Sequence, residues 1–327
     1  MKEVCLKTVL VVKGTGEPIS DLCFDKVYKF YDGFARVKTD DKWNIINQDG
    51  KLLSDQWFDG IKDFNGGFAQ VKLKGKWNFV RMDGSLLSEQ WFDECTDFEH
   101  GFAQVKLKGK WNFVRMDGSL LSEQWFDRCY NFSDGFGGVR CNLKWNFINQ
   151  DGKIISDQWF DLTDCFCEGF AKVEVNGKQN FINEDGKIIS DQWFDSCQTF
   201  SEGFAVVRLD RKWNFINEDG KLISDQWFDW CGSFSKGLAK VQLNRKLNVI
   251  NQEGSFLSDQ WFDGWGCFHD GFAIVELNEK YNFINQEGKL LSDQWFDECS
   301  SFAEGFAIVE LNCKGYRIDT NGNLAKI

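Results

Sequence analysis

The chain of 327 residues has one proline, Pro18, two histidines, His100 and His269, and three methionines. None of its 12 cysteines forms a Cys-x-x-Cys pair, and the closest spacing is Cys165-Phe166-Cys167. No apolar run approaches the roughly 20 residues that a membrane-spanning helix needs. Each shortage excludes something. Two histidines in different sequence contexts do not assemble an acid/base constellation. Zinc ribbons and dithiol redox motifs need closer, paired cysteines. Positive charge is also in short supply: 38 Lys and Arg stand against 50 Asp and Glu, a net charge of −12. That argues against nucleic acid as a partner, because its affinity rests on Lys and Arg neutralising phosphates. The basic stripe Lys72, Lys74, Lys76, with its counterpart Lys106, Lys108, Lys110, reads as a solvated strand face. No glycine-rich phosphate loop and no nucleophile elbow is present. We therefore expect no catalytic residue, no metal ligand, no cofactor and no membrane partner. Thr8 to Val12 supplies only five apolar or neutral residues after Lys7, too few for a signal-peptide core, so a cytoplasmic location is expected.

What the chain has is repetition. The block Ser54-Asp-Gln-Trp-Phe-Asp59 returns almost unchanged, with its tryptophan at Trp57, Trp91, Trp125, Trp159, Trp193, Trp227, Trp261 and Trp295, always 34 residues apart. A fixed period is the signature of stacked supersecondary units. The rhythm runs without a break from about Gly16 to Gly305, so the domain reading is a single array over residues 1–327. Aromatic residues make up 16% of the chain, 33 of them Phe and 15 Trp. One unit alone cannot cover so many rings; stacked units roof one another.

Within a unit, Phe68-Ala-Gln-Val-Lys-Leu73 alternates as a strand does, and Lys74-Gly75 is a two-residue connection to the return strand Lys76 to Val80. A plain two-residue loop sets Val71 against Asn78 and Phe79 against Gln70, which mixes apolar and polar partners on both faces. A bulge at Trp77-Asn78 would restore one apolar face, and an asparagine in the left-handed region suits a bulge, so a bulge is expected there. Asn47-Gln-Asp-Gly50 has the pattern of a type I turn closed by a glycine at positive φ. It is not a calcium loop, since Ile45 and Gln56 stand where acids would be required. Lys51-Leu-Leu reads as a third short strand. A seven-residue connection follows the block, and its fifth residue is Phe in every copy from Phe30 to Phe302, as expected of an anchor that ties the loop to the core. Cys95, Cys129, Cys197, Cys231 and Cys299 share one repeat phase and read as stacked free thiols in a reducing compartment.

These residues resemble the bacterial WG-containing repeat, also described as the KWG repeat. Gly-Phe-Ala-x-Val, Gly-Lys-Trp-Asn-Phe-Ile-Asn, Asp-Gly-Lys and the aromatic-Asp pair carry the likeness, which covers about nine units. Here Trp-Asn replaces the family's Trp-Gly and Ser-Asp-Gln replaces its proline-rich approach. The resemblance implies an interaction module. The fold expected is an all-β, open superhelical, solenoid-like array, the alternative being a closed propeller-like ring completed by Lys7 to Val12. Residues 1–32 and 305–327 read as caps: Cys23 replaces the block tryptophan, and Gly315 and Arg317 replace a hairpin Trp and Phe.

Copies within the chain differ in instructive places. The hairpin tryptophan (Trp43, Trp77, Trp111, Trp145, Trp213) gives way to Gln179, Leu247 and Tyr281, so it is read as partly exposed and the Trp57 series as packed between units. The loop before each Gly-Phe changes most, and Trp230 and Trp265 are its sharpest contact candidates, with Tyr130 beside them. The expected function is a non-catalytic scaffold binding an unknown protein or peptide through these loops. The alternative is a carbohydrate- or choline-like ligand held in aromatic cages by Trp43, Trp77, Trp111, Trp145 and Trp213. The oligomeric state is not legible.

Overall fold

In the computed structural model residues 8–11 and 18–327 are described. They contain strands, turns and no helix. The chain divides into two compact units, residues 1–165 and 166–327. Both are tandem arrays of small antiparallel sheets, an all-β repeat architecture.

The hairpin is the fixed part of every sheet. In the second sheet Phe68–Leu73 pairs with Lys76–Arg81 through Leu73↔Lys76, Val71↔Asn78 and Gln70↔Phe79. There is no bulge, contrary to the expectation above, and no Asn of the Asn44 to Asn282 series has positive φ. The expectation assumed one buried face, but these sheets are buried on both. Ala69, Val71 and Val80 pack toward Ile45 and Phe58 of the preceding sheet, while Phe68 and Phe79 pack toward Ala103, Val105 and Val114 of the following one. Two facing cores tolerate an alternation that a single core would not. The turns are as expected: both central residues have positive φ, 47° and 80° at Lys74-Gly75, 51° and 66° at Asn244-Arg245, which is the type I′ hairpin.

The third strand differs from the expected Lys51-Leu-Leu. That segment makes only an isolated bridge, Ile46↔Leu52, and a second bridge, Trp43↔Phe58, follows after the Ser-Asp-Gln loop. The buried Asn44 spans the gap between them. Its Nδ2 donates to the Ser54 carbonyl at 2.7 Å, and its Oδ1 accepts the Ile45 N–H at 2.8 Å. The same pair of bonds recurs at Asn78, Asn112, Asn146, Asn180, Asn214, Asn248 and Asn282. The true third strand is the two-residue piece after the block, such as Gly60–Ile61, lengthened to six residues at Arg128–Ser133 and Gly264–His269.

The block thus passes the chain from one sheet to the next. Phe58 N–H donates to Trp43 of its own sheet at 2.8 Å, and the adjacent Asp59 N–H donates to Lys72 of the next at 2.7 Å. The deep core belongs to the phenylalanine of the block: Phe126, Phe160, Phe194 and Phe228 are fully buried, whereas the block tryptophans are half-buried at the margins of the same clusters. Trp91 and Trp125 each pack against a cluster formed by two successive sheets, as expected of the Trp57 series.

The anchoring role of the loop phenylalanine holds. Phe132 stacks on Phe102 with centroids 4.2 Å apart and meets Phe113 edge-on at 5.0 Å; Phe200 does the same with Phe170 and Phe181 at 4.3 and 4.8 Å. The Asn-x-Asp-Gly turn also forms as expected, with Gly50 N–H to the Asn47 carbonyl at 3.1 Å. Its glycine has a second task. A Cβ on Gly118 (φ 95°) would stand 2.1 Å from the Leu87 carbonyl oxygen of the preceding repeat, and the same holds at Gly254 against Ile223 at 2.0 Å. Only glycine lets neighbouring repeats approach this closely.

At the ends, Thr8–Val11 pairs antiparallel with Pro18–Phe24, and the last sheet takes Leu324–Lys326 as a fourth strand. Lys7 and Val12, named above for ring closure, lie outside the described residues, as do 1–7 and 12–17 of the expected N-terminal cap. At the other end Arg317 lays its guanidinium over the Phe306 ring at 3.4 Å, where earlier repeats use a phenylalanine from the next unit.

Candidate functional site

Eight aromatic residues were singled out as contacts, and the structure separates them into two groups. The hairpin series sits beside the strand residue paired with it across the hairpin. Lys38, Lys72, Lys106, Arg140 and Arg208 are the register partners of Trp43, Trp77, Trp111, Trp145 and Trp213. Each cation lies over its partner's ring, at 5.7, 5.2, 5.2, 5.6 and 5.6 Å from the centroid. Where the tryptophan is lost the cation is lost with it: Glu174 faces Gln179, Gln242 faces Leu247, Glu276 faces Tyr281 and Glu310 faces Gly315. These rings are cross-strand cation–π partners, worth about 0.5–1 kcal/mol each at exposed sites. A second ring covers two of them: Tyr28 tilts over Trp43 at 5.3 Å, and Tyr130, itself 48% exposed, stacks on the buried Trp145 at 4.5 Å. The pairing was legible in the sequence as a cation five residues before each hairpin tryptophan.

Trp230 and Trp265 differ from these and are brought together. Trp230 is in the edge-strand row with Gln242 and Leu247, carries no cation over its ring, and is 44% exposed. Trp265 is 7% exposed and packs with Val249, Phe262 and Val275. It takes the place that Cys231 and Cys299 hold in their sheets, opposite Val241 and Val309. Its indole Nε1 is buried and has no acceptor. Both tryptophans line one cleft of about 700 Å³ within residues 166–327. Gly232 and Gly266 occupy the loop position held by Lys62, Thr96 and Gln198 elsewhere; a Cβ on Gly232 would stand 3.1 Å from the Trp230 ring, and one on Gly266 3.4 Å from the Ile274 carbonyl oxygen.

The cleft walls are well tied down. Gly232 N–H donates to the Lys240 carbonyl at 2.9 Å, and Lys240 Nζ donates to the Trp265 carbonyl at 2.9 Å. The turn Lys236-Gly237 gives both amide N–H groups to the Glu202 carboxylate, at 2.8 and 2.9 Å, and these two bonds hold that carboxyl below its ordinary range. Ser233 Oγ donates to Gln198 at 3.3 Å, and Asp270 accepts the Gly305 N–H at 3.4 Å. The charged residues lining the cleft are Lys236, Lys240 and Asp270.

The in-phase cysteines are edge-strand residues that face the inter-sheet core. Burial pushes the Cys95, Cys197 and Cys299 thiols up to about 12, and raises Cys129 and Cys231 further. Thiols so held remain protonated and pack as small hydrophobes. Among the described residues no group of three His, Cys, Asp or Glu side chains is placed to hold a metal ion. Among the described residues no helix is long and apolar enough to cross a membrane.

Comparison with known proteins gives one firm result. The "WG containing repeat" family matches nine stretches of the chain: 11–43, 45–77, 92–111, 126–145, 147–178, 181–213, 215–246, 249–281 and 283–314. No curated protein matches. Among solved structures, one titled a eukaryotic initiation factor overlaps 89% of this chain and 94% of its own, at 9% identity and a TM-score of 0.32. Kluyvelomyces marxianus Hsv2 overlaps 72% of this chain and 97% of its own, at 12% identity and a TM-score of 0.28. PorZ, a surface component of the type-IX secretion system of Porphyromonas gingivalis, overlaps 93% of this chain and 52% of its own, at 8% identity and a TM-score of 0.26. Overlaps of that quality do not extend to a shared global shape.

Proposed function

The chain belongs to the WG containing repeat family, and from that premise we propose that it is a non-catalytic scaffold that binds a protein or peptide partner through its variable loops. The observation that carries this reading is the convergence of the two most distinctive loops, Trp230 to Ser233 and Gly264 to Cys267, on one cleft of about 700 Å³. A regular frame holds the loops in place, and the side chains they display differ from unit to unit, which is how repeat proteins build binding surfaces. The choline-type alternative is weakened, because each hairpin tryptophan already carries a Lys or Arg over its face. The buried, protonated cysteines fit a reducing compartment, and we place the protein in the cytoplasm.

The test is selection of a random 12-residue peptide library on the purified protein, with counter-selection on a variant whose two loops are replaced by those of the third repeat, Glu94 to Asp97. Peptides that bind the native chain and not the variant are expected, with both proteins giving the same circular dichroism spectrum. Selected peptides that bind both equally would overturn the assignment of this face. A glycan array giving saturable binding where peptides give none would replace the peptide reading with the carbohydrate one.

A further inference from the structure

The first repeat shows what a filled version of this cleft looks like. There Arg36 makes an ion pair with Asp63, Nε to Oδ1 at 2.7 Å, and its Nη1 donates to the Ile61 carbonyl at 3.3 Å. The second repeat keeps the arrangement with Gln70 donating to Asp97. Counting forward by the period, Lys240 stands where Arg36 stands, Trp265 where Ile61 stands, and Cys267 where Asp63 stands. Lys240 keeps the backbone half of the pattern, its Nζ donating to the Trp265 carbonyl at 2.9 Å. The carboxylate half is missing. Cys267 has a thiol where Asp63 has a carboxylate, and among the described residues no carboxylate lies within ion-pair distance of Lys240. Asp270, the acidic residue on the cleft wall, is turned to the Gly305 N–H. An ammonium group has three donors, and Lys240, on the cleft wall, gives one of them to the Trp265 carbonyl.

We propose that Lys240 anchors a carboxylate of a peptide lying in this cleft, in the position that the Asp63 carboxylate takes beside Arg36, with the exposed Trp230 ring as the wall for the neighbouring side chain. The inference rests on the peptide-binding reading above and specifies its chemistry. Lys236 on the rim adds a second positive charge, so two ammonium groups and one engaged carboxylate face the occupant. Gly237 and Gly271 line the walls with nothing within 4 Å of where a Cβ would stand, so a peptide main chain can come close there. An ion pair to a partly enclosed cation is stronger and more directional than one in open solvent. Trp230 has the character of an interface anchor, a large rigid ring with little rotamer entropy to lose.

The experiment uses the full chain and peptides from the selection, each synthesised with a free C-terminal acid and as the amide, and with any Asp or Glu changed to Asn or Gln. The carboxylate required is identified by which change abolishes binding, read by fluorescence anisotropy. Lys240→Met is expected to weaken binding at least tenfold, and Lys240→Arg to retain most of it. Cys267→Asp is the decisive variant: it supplies the carboxylate from within the chain and is expected to weaken the same peptides at least tenfold more than Cys267→Ser does. An unchanged circular dichroism spectrum and melting temperature accompany each variant. Peptides lost on loop replacement but indifferent to Lys240→Met and Cys267→Asp would overturn the anchor and leave the scaffold reading standing. Selected peptides that bind equally well with every carboxylate removed would overturn it in the same way.

Discussion

The carboxylate of Asp93 holds two successive hairpins at once: its Oδ2 accepts the turn N–H of Lys108 at 2.7 Å, while its Oδ1 is paired with the Lys76 ammonium of the hairpin before. The same double contact is made by Asp59, Asp127, Asp229, Asp263 and Asp297. The last residue of the block is therefore a staple between neighbouring units at the hairpin tips. It explains why an acid closes every copy.

The staple makes stability depend on acidity. The hydrogen bond from Lys76 and then the amide of Lys108 hold the Asp93 carboxyl below its ordinary range, and its equivalents are lowered in the same way. A carboxyl whose pKa is lower in the folded state contributes stability above the unfolded value of about 3.9 and loses it as pH falls through the folded value. Melting temperature is expected to fall steeply below about pH 4. In Asp93→Asn the deficit against the native chain should be largest at pH 7 and shrink toward pH 3; a deficit that does not change with pH would refute the ionic staple.

Glycine at the Asn-x-Asp-Gly turn serves more than its own backbone. Gly118→Ala is expected to destabilise far more than Gly109→Ala, although both have positive φ, 95° and 81°. At Gly109 nothing lies near the added methyl, so only the strain of about 1 kcal/mol applies. At Gly118 the methyl meets the Leu87 carbonyl at 2.1 Å and the repeats must separate. Urea midpoints of the two variants measure the difference.

Phe126, fully buried, should matter more than its neighbour Trp125, which is half-buried. Phe126→Ala is expected to cost about 3–5 kcal/mol, as for other buried aromatic truncations. Trp125→Ala should cost less despite the larger side chain removed. Equal losses in chemical denaturation would contradict the assignment of the core to the phenylalanine.

Asn112 is fully buried and donates to the Ser122 and Gln124 carbonyls at 2.7 and 3.2 Å while accepting the Phe113 N–H at 2.8 Å. Asn112→Ala would leave these groups without partners, at about 1–3 kcal/mol for each one left buried and dry. Asn112→Asp should be worse than Ala, because a carboxylate would face two carbonyl oxygens. A urea titration ranking Asp as the milder change would show that the asparagine is not the bridge described.

Trp265→Phe is expected to be close to neutral or stabilising in a thermal melt. The ring packs in the core, but its Nε1–H is buried with no acceptor, and an unpaired donor costs about 1–3 kcal/mol. Removing the donor offsets the apolar contact that the smaller ring gives up. A loss above about 3 kcal/mol, the range for creating a large cavity, would mean that the indole nitrogen has a partner.

Much of the unit could be read from local chemistry. Asp40-Asp41 and Asn176-Gly177 specify a type I′ turn by their tolerance of positive φ, and Asn47 to Gly50 specifies a type I turn. Both are decisions within four residues. The prominence of Trp230 and Trp265 followed from their absence in other copies. Their meeting in one cleft did not, since the cleft exists only once the sheets are stacked.

Two readings needed correcting by contacts outside their own segment. The bulge at Trp77-Asn78 was expected because the plain register sets Val71 against Asn78 and Phe79 against Gln70, but both faces are buried and the Asn78 side chain is satisfied by the Ser88 carbonyl, ten residues on. The phenylalanine of the block is kept as Phe24 where Cys23 replaces the tryptophan, the one signal in the sequence that Phe58 and not Trp57 fills the core. Lys51-Leu-Leu had strand composition and does pair with the return strand, Asn47 N–H to the Lys51 carbonyl at 3.0 Å and Leu53 N–H to the Ile45 carbonyl at 2.8 Å, but it makes a single bridge before the block carries the chain to the next sheet.

By itself the sequence determined the period, the β-hairpin, its turns and the ring that anchors each loop, because these depend on backbone preferences and contacts within one unit. The tertiary structure alone decided the double-sided burial, the glycine clearances and the Asp–Lys staples. Each of these depends on the distance to a neighbouring repeat, and that distance exists only after the repeats have packed.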